Sequence, residues 1–137
     1  MEWKSEYSVG IALIDRQHQE ILNYINQLTA SLNARDRWTV THHLLTQIED
    51  FMRTHFAVEE ALLEIVGYPA EEAHVASHGK MKAHMAELER RSIKEDITEE
   101  LIAYLCQWFI QHVLHDDMDY GRYVSKHFRQ VGGLREP

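Results

Sequence analysis

A chain of 137 residues is long enough for one domain with a core of its own and needs no covalent staple to hold it. Acidic residues outnumber basic ones by 22 to 14, a formal net charge of −8, which disfavours nucleic acid and anionic membranes as partners. No apolar stretch approaches the roughly 20 residues that a spanning helix needs, and MEWKSEYSVG lacks the basic start and apolar centre of a secretory signal, so the cytoplasm is the expected location.

Residues 1–12 alternate Trp3, Tyr7, Val9 and Ile11 with polar or small residues, yet no partner strand follows. A lone strand is not a stable element, so this stretch is expected to lie across helices as an arm anchored by Trp3 and Tyr7. The first helix is expected over 13–33, where Ile14, His18, Ile21, Leu22, Ile25, Leu28 and Leu32 recur at three or four. Asp15 stands where it would cap that helix or hold a histidine, and the sequence leaves both open. A second helix, over 38–66, carries Val40, Leu44, Ile48, Phe51, Met52, His55, Phe56, Glu59, Leu62 and Leu63 inward and ends at Gly67, a residue suited to a C-cap. Pro69 suits the first turn of a third helix, and Glu71 and Glu72 suit its positive end. That helix carries His74, His78, Met81, Met85 and Leu88 on one side and stops near 90–92. The fourth, over 96–117, runs through Leu101, Leu105, Trp108, His112 and Val113. Its Cys106, the single cysteine of the chain, excludes an internal disulfide and reads as a small core residue. MDYGRYVSKHF is expected to add a short amphipathic helical turn, and VGGLREP a frayed tail.

The basic clusters ARDR (34–37) and ERR (89–91) fall at helix ends, where positive charge suits the dipole. No repeat, low-complexity segment or linker interrupts the chain. Residues 1–137 are therefore expected to form one all-α domain. Its architecture is an antiparallel up-down-up-down four-helix bundle with an extended N-terminal arm and a short C-terminal helical tail.

Ten histidines is a high count, and five of them fall into a pattern. His55 and Glu59 are four apart, as are His74 and His78, which puts each pair on one helix face. His18 lies on the first helix, and His112 with Asp117 on the fourth. Four helices thus direct five imidazoles and two carboxylates at one place. By spacing alone His115 and Asp116, three and four residues from His112, rival Asp117. Glu59 shares its stripe with Met52, His55 and Phe56, where an unpaired carboxylate is expensive. A histidine–carboxylate hydrogen-bond network is the alternative reading, and any one of these histidines alone would be read as a core residue. Their joint placement favours metal.

The donor set also selects the metal. Structural zinc sites use four ligands, usually cysteines close in sequence, and none is available here. Calcium and magnesium want oxygen donors. Mixed imidazole and carboxylate donors suit iron, with manganese, cobalt and zinc as lesser options, and seven of them suit two ions better than one. Two carboxylates can each span both ions. With one hydroxide, such a diferrous core carries a charge of only about +1. Di-iron redox enzymes built on bundles use two Glu-x-x-His motifs and two further glutamates. This chain offers one such spacing, Glu71 to His74, and its neutral imidazoles favour the reduced, reversible state.

The ordered set IDRQH (14–18), THFAVEE (54–60), HVASH (74–78) and WFIQHVLHDD (108–117) closely resembles the hemerythrin family in its bacterial single-domain form, over nearly the full length. The resemblance implies a four-helix bundle that binds dioxygen reversibly at a non-heme di-iron centre. Position by position, His74, His78 and His112 look like the ligands of the coordinatively full iron, and His18 and His55 like those of the iron with an open site. Glu59 and Asp117 look like the bridging carboxylates, beside an oxo or hydroxo bridge, and the family pattern favours Asp117 over its rivals as a carboxylate reaching back near the last turn. Ile21, Trp108 and Val113 resemble the apolar wall of the ligand pocket, which would keep water and protons out and slow autoxidation. Many relatives have phenylalanine where Met81 stands and lysine where Met118 stands, differences that bear on affinity and autoxidation rather than on the ligands. His42, His43, His84, His115 and His127 receive no role. The expected function is carriage, storage or sensing of dioxygen, or binding of another small diatomic or anionic ligand, rather than catalysis, with an oxygen-using protein as a conceivable partner. The alternatives are a di-iron enzyme consuming peroxide, dioxygen or nitric oxide, and iron storage.

Overall fold

The computed structural model describes residues 1–128, and the tail expected at 131–137 lies outside them. Helix α1 spans Ala12–Ser31, α2 Arg37–Val66 and α3 Glu71–Ser92. α4, Thr98–Trp108, continues without a break into a π-helical segment, Phe109–Asp117, and then into α5, Met118–His127. α1 packs on α2 and α4, and α2 packs on α3, the neighbour relations of an antiparallel bundle with short connections. None of the described helices is long and apolar enough to cross a membrane.

Each helix buries the stripe that its periodicity announced. Ile21, Leu22, Ile25 and Leu28 of α1 meet Leu44, Leu45, Ile48, Met52 and Phe56 of α2. Met81, Met85 and Leu88 of α3 and Leu101 and Leu105 of α4 complete this cluster. Val40 and Phe51, expected inside, are only partly buried at its edge, as is Cys106. Gly67 ends α2 in the left-handed region (φ 63°), where a side chain would be strained, and its N–H bonds back to the last turn. Pro69 stands two residues before α3 rather than inside its first turn.

The fourth helix departs most from expectation. An α-helix ending near 117 was expected, but the chain widens into π geometry at Phe109 and stays helical to His127. Each π turn takes in an extra residue, and such segments concentrate at functional sites. An extra residue lets a five-residue step return to the face that a four-residue step reaches in an α-helix. His112 and Asp117 can therefore share a face. Asp117 sits in mid-helix and is not a carboxylate reaching back from a last turn.

A second apolar cluster closes the end of the bundle nearest the arm. Val9, Ile11 and Ile14 pack with Leu62, Leu63 and Val66 of α2 and with Tyr120 and Val124 of α5. The arm itself forms one 3-10 turn, Ser5–Tyr7. Its anchors are those expected: Trp3 meets Tyr7 edge-on at 5.7 Å, and Tyr7 meets Phe109 at 5.9 Å. Asp15 neither caps α1 nor holds a histidine. It accepts the Val9 N–H at 2.8 Å and the Ser8 hydroxyl, pinning the arm to the helix.

The arm and α5 approach so closely that only glycine fits between them. A Cβ at Gly121 would overlap the Val9 carbonyl oxygen, whereas one at Gly79, in mid-α3, would meet nothing. Gly121→Ala is therefore expected to destabilise the fold by about 1–3 kcal/mol. Gly79→Ala is expected to stabilise it by about 0.5–1 kcal/mol. Thermal melts of the two variants should shift in opposite directions.

Candidate metal centre

Seven polar side chains meet in the interior between these clusters. His18, His55, Glu59, His78 and Asp117 have no exposed surface, and His112 and His74 keep 2% and 5%. α1 contributes His18, α2 His55 and Glu59, α3 His74 and His78, and the π segment His112 and Asp117. The structure thus brings together all seven residues that the sequence singled out. The rivals do not join them: Asp116 and His115 are exposed.

The seven divide into two overlapping groups, each compact enough to hold a metal ion. One is Glu59, His74, His78, His112 and Asp117; the other is His18, His55, Glu59 and Asp117. The carboxylates belong to both, and they divide their oxygens between them. Glu59 Oε1 lies 2.7 Å from His74 Nε2 and 3.0 Å from His78 Nε2, while its Oε2 lies 3.5 Å from His55 Nε2 and 3.9 Å from His18 Nε2. Asp117 Oδ1 lies 2.9 Å from His74 Nε2 and 3.2 Å from His112 Nε2, while its Oδ2 lies 3.1 Å from His18 Nε2.

Short distances here are not hydrogen bonds throughout. Both Asp117 oxygens, both His18 nitrogens and His55 Nε2 are buried without a hydrogen-bond partner despite those separations. Buried polar atoms are almost always satisfied by hydrogen bonds, so this many orphans in one place mark an unfilled demand. The ligand atoms of each group all lie within 4.8 Å of one another. That is what ligands of a cation do, and it fits the donor set to metal better than a hydrogen-bond network does. Nε2 of His78 and of His112 stand 3.1 Å apart, a contact that two protonated rings would not tolerate.

Burial and the two carboxylates compete over the protons. Burial lowers the His55 ring to about 4, so it is neutral at pH 7. Burial also opposes charge on His74 and His112, but the Asp117 and Glu59 carboxylates push them up to about 9 and about 10. Burial and the Glu59 charge would raise Asp117, yet the rings of His112, His18 and His74 hold it at about 2. Glu59 is held well below the usual carboxylate range by the surrounding histidines, against its own burial.

A further ring of partners fixes the imidazoles from behind, as metal-binding histidines require. His55 Nδ1 meets Gln17 Oε1 at 2.6 Å, and His78 Nδ1 meets Glu60 Oε2 at 2.8 Å. His112 Nδ1 meets Ser77 Oγ at 3.2 Å and Asp116 Oδ2 at 3.3 Å. The Tyr120 hydroxyl donates to Glu59 Oε2 at 3.1 Å. Sequence reasoning missed these partners. Asp116 was detectable by its four-residue step from His112, and Tyr120 by its three-residue step from Asp117; Gln17, Glu60 and Ser77 carry no such signal.

The family model described as Hemerythrin HHE cation binding domain matches residues 9–124. The chain belongs to the hemerythrin family. It is 33% identical over 129 residues to a bacteriohemerythrin of Stenotrophomonas maltophilia, covering 93% of this chain and 84% of that one. To a bacteriohemerythrin of Pseudomonas aeruginosa it is 30% identical over 119 residues, covering 86% and 77%. In fold it superposes on the crystal structure of a wild-type hemerythrin with a TM-score of 0.82, at 23% identity over 91% of this chain and 98% of that one. The four-helix bundle of the hemerythrin family is thus the architecture found here.

The apolar residues assigned to a hemerythrin ligand pocket are all buried: Ile21, Trp108 and Val113 belong to the main cluster. Trp108 stacks on His112, with ring centroids 5.0 Å apart, so it faces the three-histidine group. The rings around the two-histidine pair are others. Phe109 stands edge-on to His18 at 6.3 Å, and Phe56 is 5.7 Å from His55. Phe56 also stacks on His78 at 3.9 Å. Met81 is buried in the main cluster and Met118 partly buried in the second. Of the histidines without a role, His42 meets Ser92, His84 stacks on Tyr104 and His127 stacks on Tyr123.

The proton balance yields a test. The ordinary imidazole value is 6.5, so His74 and His112 stabilise the metal-free fold fully below that pH and lose the contribution as the pH rises through 9 and 10. Glu59 and Asp117 have ordinary values of 4.5 and 3.8; they stabilise it above those and lose the contribution as the pH falls. His55, lowered to about 4, costs stability as the pH falls below 6.5, so metal-free protein is expected to melt highest near pH 6.5. Loading with a divalent metal at pH 7.5 should release the protons of His74 and His112, and this release should vanish above about pH 10. Calorimetry in buffers of different ionisation enthalpy measures it; the same release at pH 7.5 and above pH 10 would contradict the assignment.

Proposed function

We propose that the chain binds dioxygen reversibly at a pair of iron ions. His74, His78 and His112 would hold one ion, and His18 and His55 the other. Glu59 and Asp117 would offer one oxygen to each group, beside an oxo or hydroxo group. The observation that carries this reading is the division of each buried carboxylate's oxygens between the two nitrogen groups. Two ferrous ions held by these residues would supply the two electrons that reversible dioxygen binding needs.

The protein's share follows from its donors. The first group supplies three nitrogens and two oxygens, the second two nitrogens and two oxygens. With a shared bridge, the first group would fill an ion's coordination and the second would leave a position open. A small ligand, dioxygen or another diatomic or small anion, therefore docks on the side of His18 and His55. Imidazoles are neutral donors, so the site carries little negative charge and favours the reduced state. Phe109 packs edge-on to His18 and keeps water from that side, with Ile21 and Val113 buried in the same cluster, while Trp108 stacks on His112. Gln17 holds the ring of His55 in place from behind. Tyr120 supplies a hydrogen bond to Glu59 Oε2, which lowers the charge that this carboxylate can donate. The single described unit and the one half-buried cysteine fit a one-domain protein of the reducing cytoplasm.

Anaerobic reconstitution with iron(II) is expected to give about two irons per chain. Cycles of oxygen and vacuum should then make a colour appear and disappear. A single irreversible oxidation would point to a di-iron enzyme that consumes its ligand, and a single bound zinc would remove the proposal. His55→Ala is expected to keep the iron of the three-histidine group and lose gas uptake. Uptake at the parent level would move the open position elsewhere.

A further inference from the structure

Ions that end between four buried helix faces need a way in. Five of the seven donors have no exposed surface; only the side chains of His74 and His112 keep any, 3% each. A cavity of about 140 Å³ leads from the surface to His74. Its other lining residues are Tyr68, Ala70, Ala73, Asp116 and Asp119. Both alanines and both aspartates are exposed, and Tyr68 is half-buried. The alanines leave an opening that longer side chains would fill. Behind the floor, His74 Nε2 stands 2.9 Å from Asp117 Oδ1, a buried oxygen without a hydrogen-bond partner.

Charge at the mouth suits a cation. Asp116 and Asp119 line it, and Glu71 and Glu72 offset the positive end of α3 beside it. Arg122 pairs with Asp119, and both side chains are largely exposed, so salt screens the pair, while Asp116 lies at the same mouth. Asp116 also reaches the back of the His112 ring, so the same carboxylate stands at the entrance and at a donor.

We propose that this acidic cavity is the route by which divalent metal ions enter and leave the centre, with His74 as the first donor they meet. The inference rests on the metal centre proposed above. Asp119 collects the hydrated cation, and the ring of His74 displaces part of its water within the cavity. The three-histidine group therefore fills before the pair His18 and His55.

Two substitutions test the route without touching a donor. Asp119→Asn removes charge from the mouth, and Ala73→Leu narrows it at an exposed position. The probe is cobalt(II), whose ligand-field absorption reports binding without redox chemistry, mixed rapidly with metal-free full-length protein at pH 7. Asp119→Asn is expected to slow uptake by a factor of about 3 to 10 at low ionic strength and to match the parent in high salt. Ala73→Leu is expected to slow uptake and chelator-driven release by the same factor at all salt concentrations, with the final cobalt per chain unchanged. Circular dichroism confirms that each variant is folded; should Ala73→Leu fail, Ala70→Leu narrows the same opening. Parent-like rates in the folded variants, at unchanged stoichiometry, would overturn the route and leave the centre standing. A parent protein that takes up no cobalt would overturn both.

Discussion

Two carboxylates without solvent in the middle of an apolar bundle are the constraint to which the rest of the structure answers. Glu59 and Asp117 are completely buried and stay ionised. An isolated charge there would cost far more than a domain's whole stability. Five imidazoles around them meet that cost in part, through contacts of 2.7–4.0 Å. The match is incomplete, because both Asp117 oxygens and the inner nitrogens of His18 and His55 still lack hydrogen bonds. Cations held between these donors would satisfy them. The bundle is in this sense organised to present anionic oxygens to positive charge, and its apolar layers keep water from doing so instead.

The π-helical stretch is the local device that makes this arrangement possible. In a regular α-helix the residues placed on the face of His112 are Asp116 and His115. With the π turns, Asp117 joins His112 inside, and Asp116 moves outward to the back of the His112 ring. One change of helical pitch thus gives two adjacent aspartates different tasks. It also turns α5 so that Tyr120 points back at Glu59 and Gly121 lies under the arm. Arm, α5 and metal centre are consequently one packed unit. Asp15 ties the arm to α1 three residues before His18, and Phe109, which begins the π segment, touches both the arm's Tyr7 and His18.

Asymmetry between the two halves of the centre is the feature with most bearing on chemistry. The three-histidine group is rich in outer contacts, from Glu60, Ser77 and Asp116, and includes both donors with any exposed surface, His74 and His112. The two-histidine group is drier: His18 has no outer partner, and its surroundings are Phe109, Phe56 and the main apolar cluster. A polar side fits holding and exchanging ions, and an apolar side fits admitting a small neutral ligand while excluding water. The hemerythrin family membership and this asymmetry agree.

Periodicity alone determined the helices, since an apolar residue every three or four positions has only one way to be buried in water. It also determined that His18, His55, Glu59, His74, His78 and His112 face inward, because each shares a stripe with residues such as Ile21, Met52 and Met81. What periodicity could not decide was Asp117. A five-residue step has no place in an α-helical pattern, and only a family motif separated it from Asp116. The tertiary structure decided it, through a π turn held between the arm, α1 and α2. Tertiary structure also decided which oxygen of each carboxylate faces which histidines, which ring Trp108 covers, and that Gln17, Glu60 and Ser77 stand behind the donors. Those are relations between helices, whose rotation and offset come from packing. A linear sequence records which face of a helix is apolar, but not the neighbour that the face will meet.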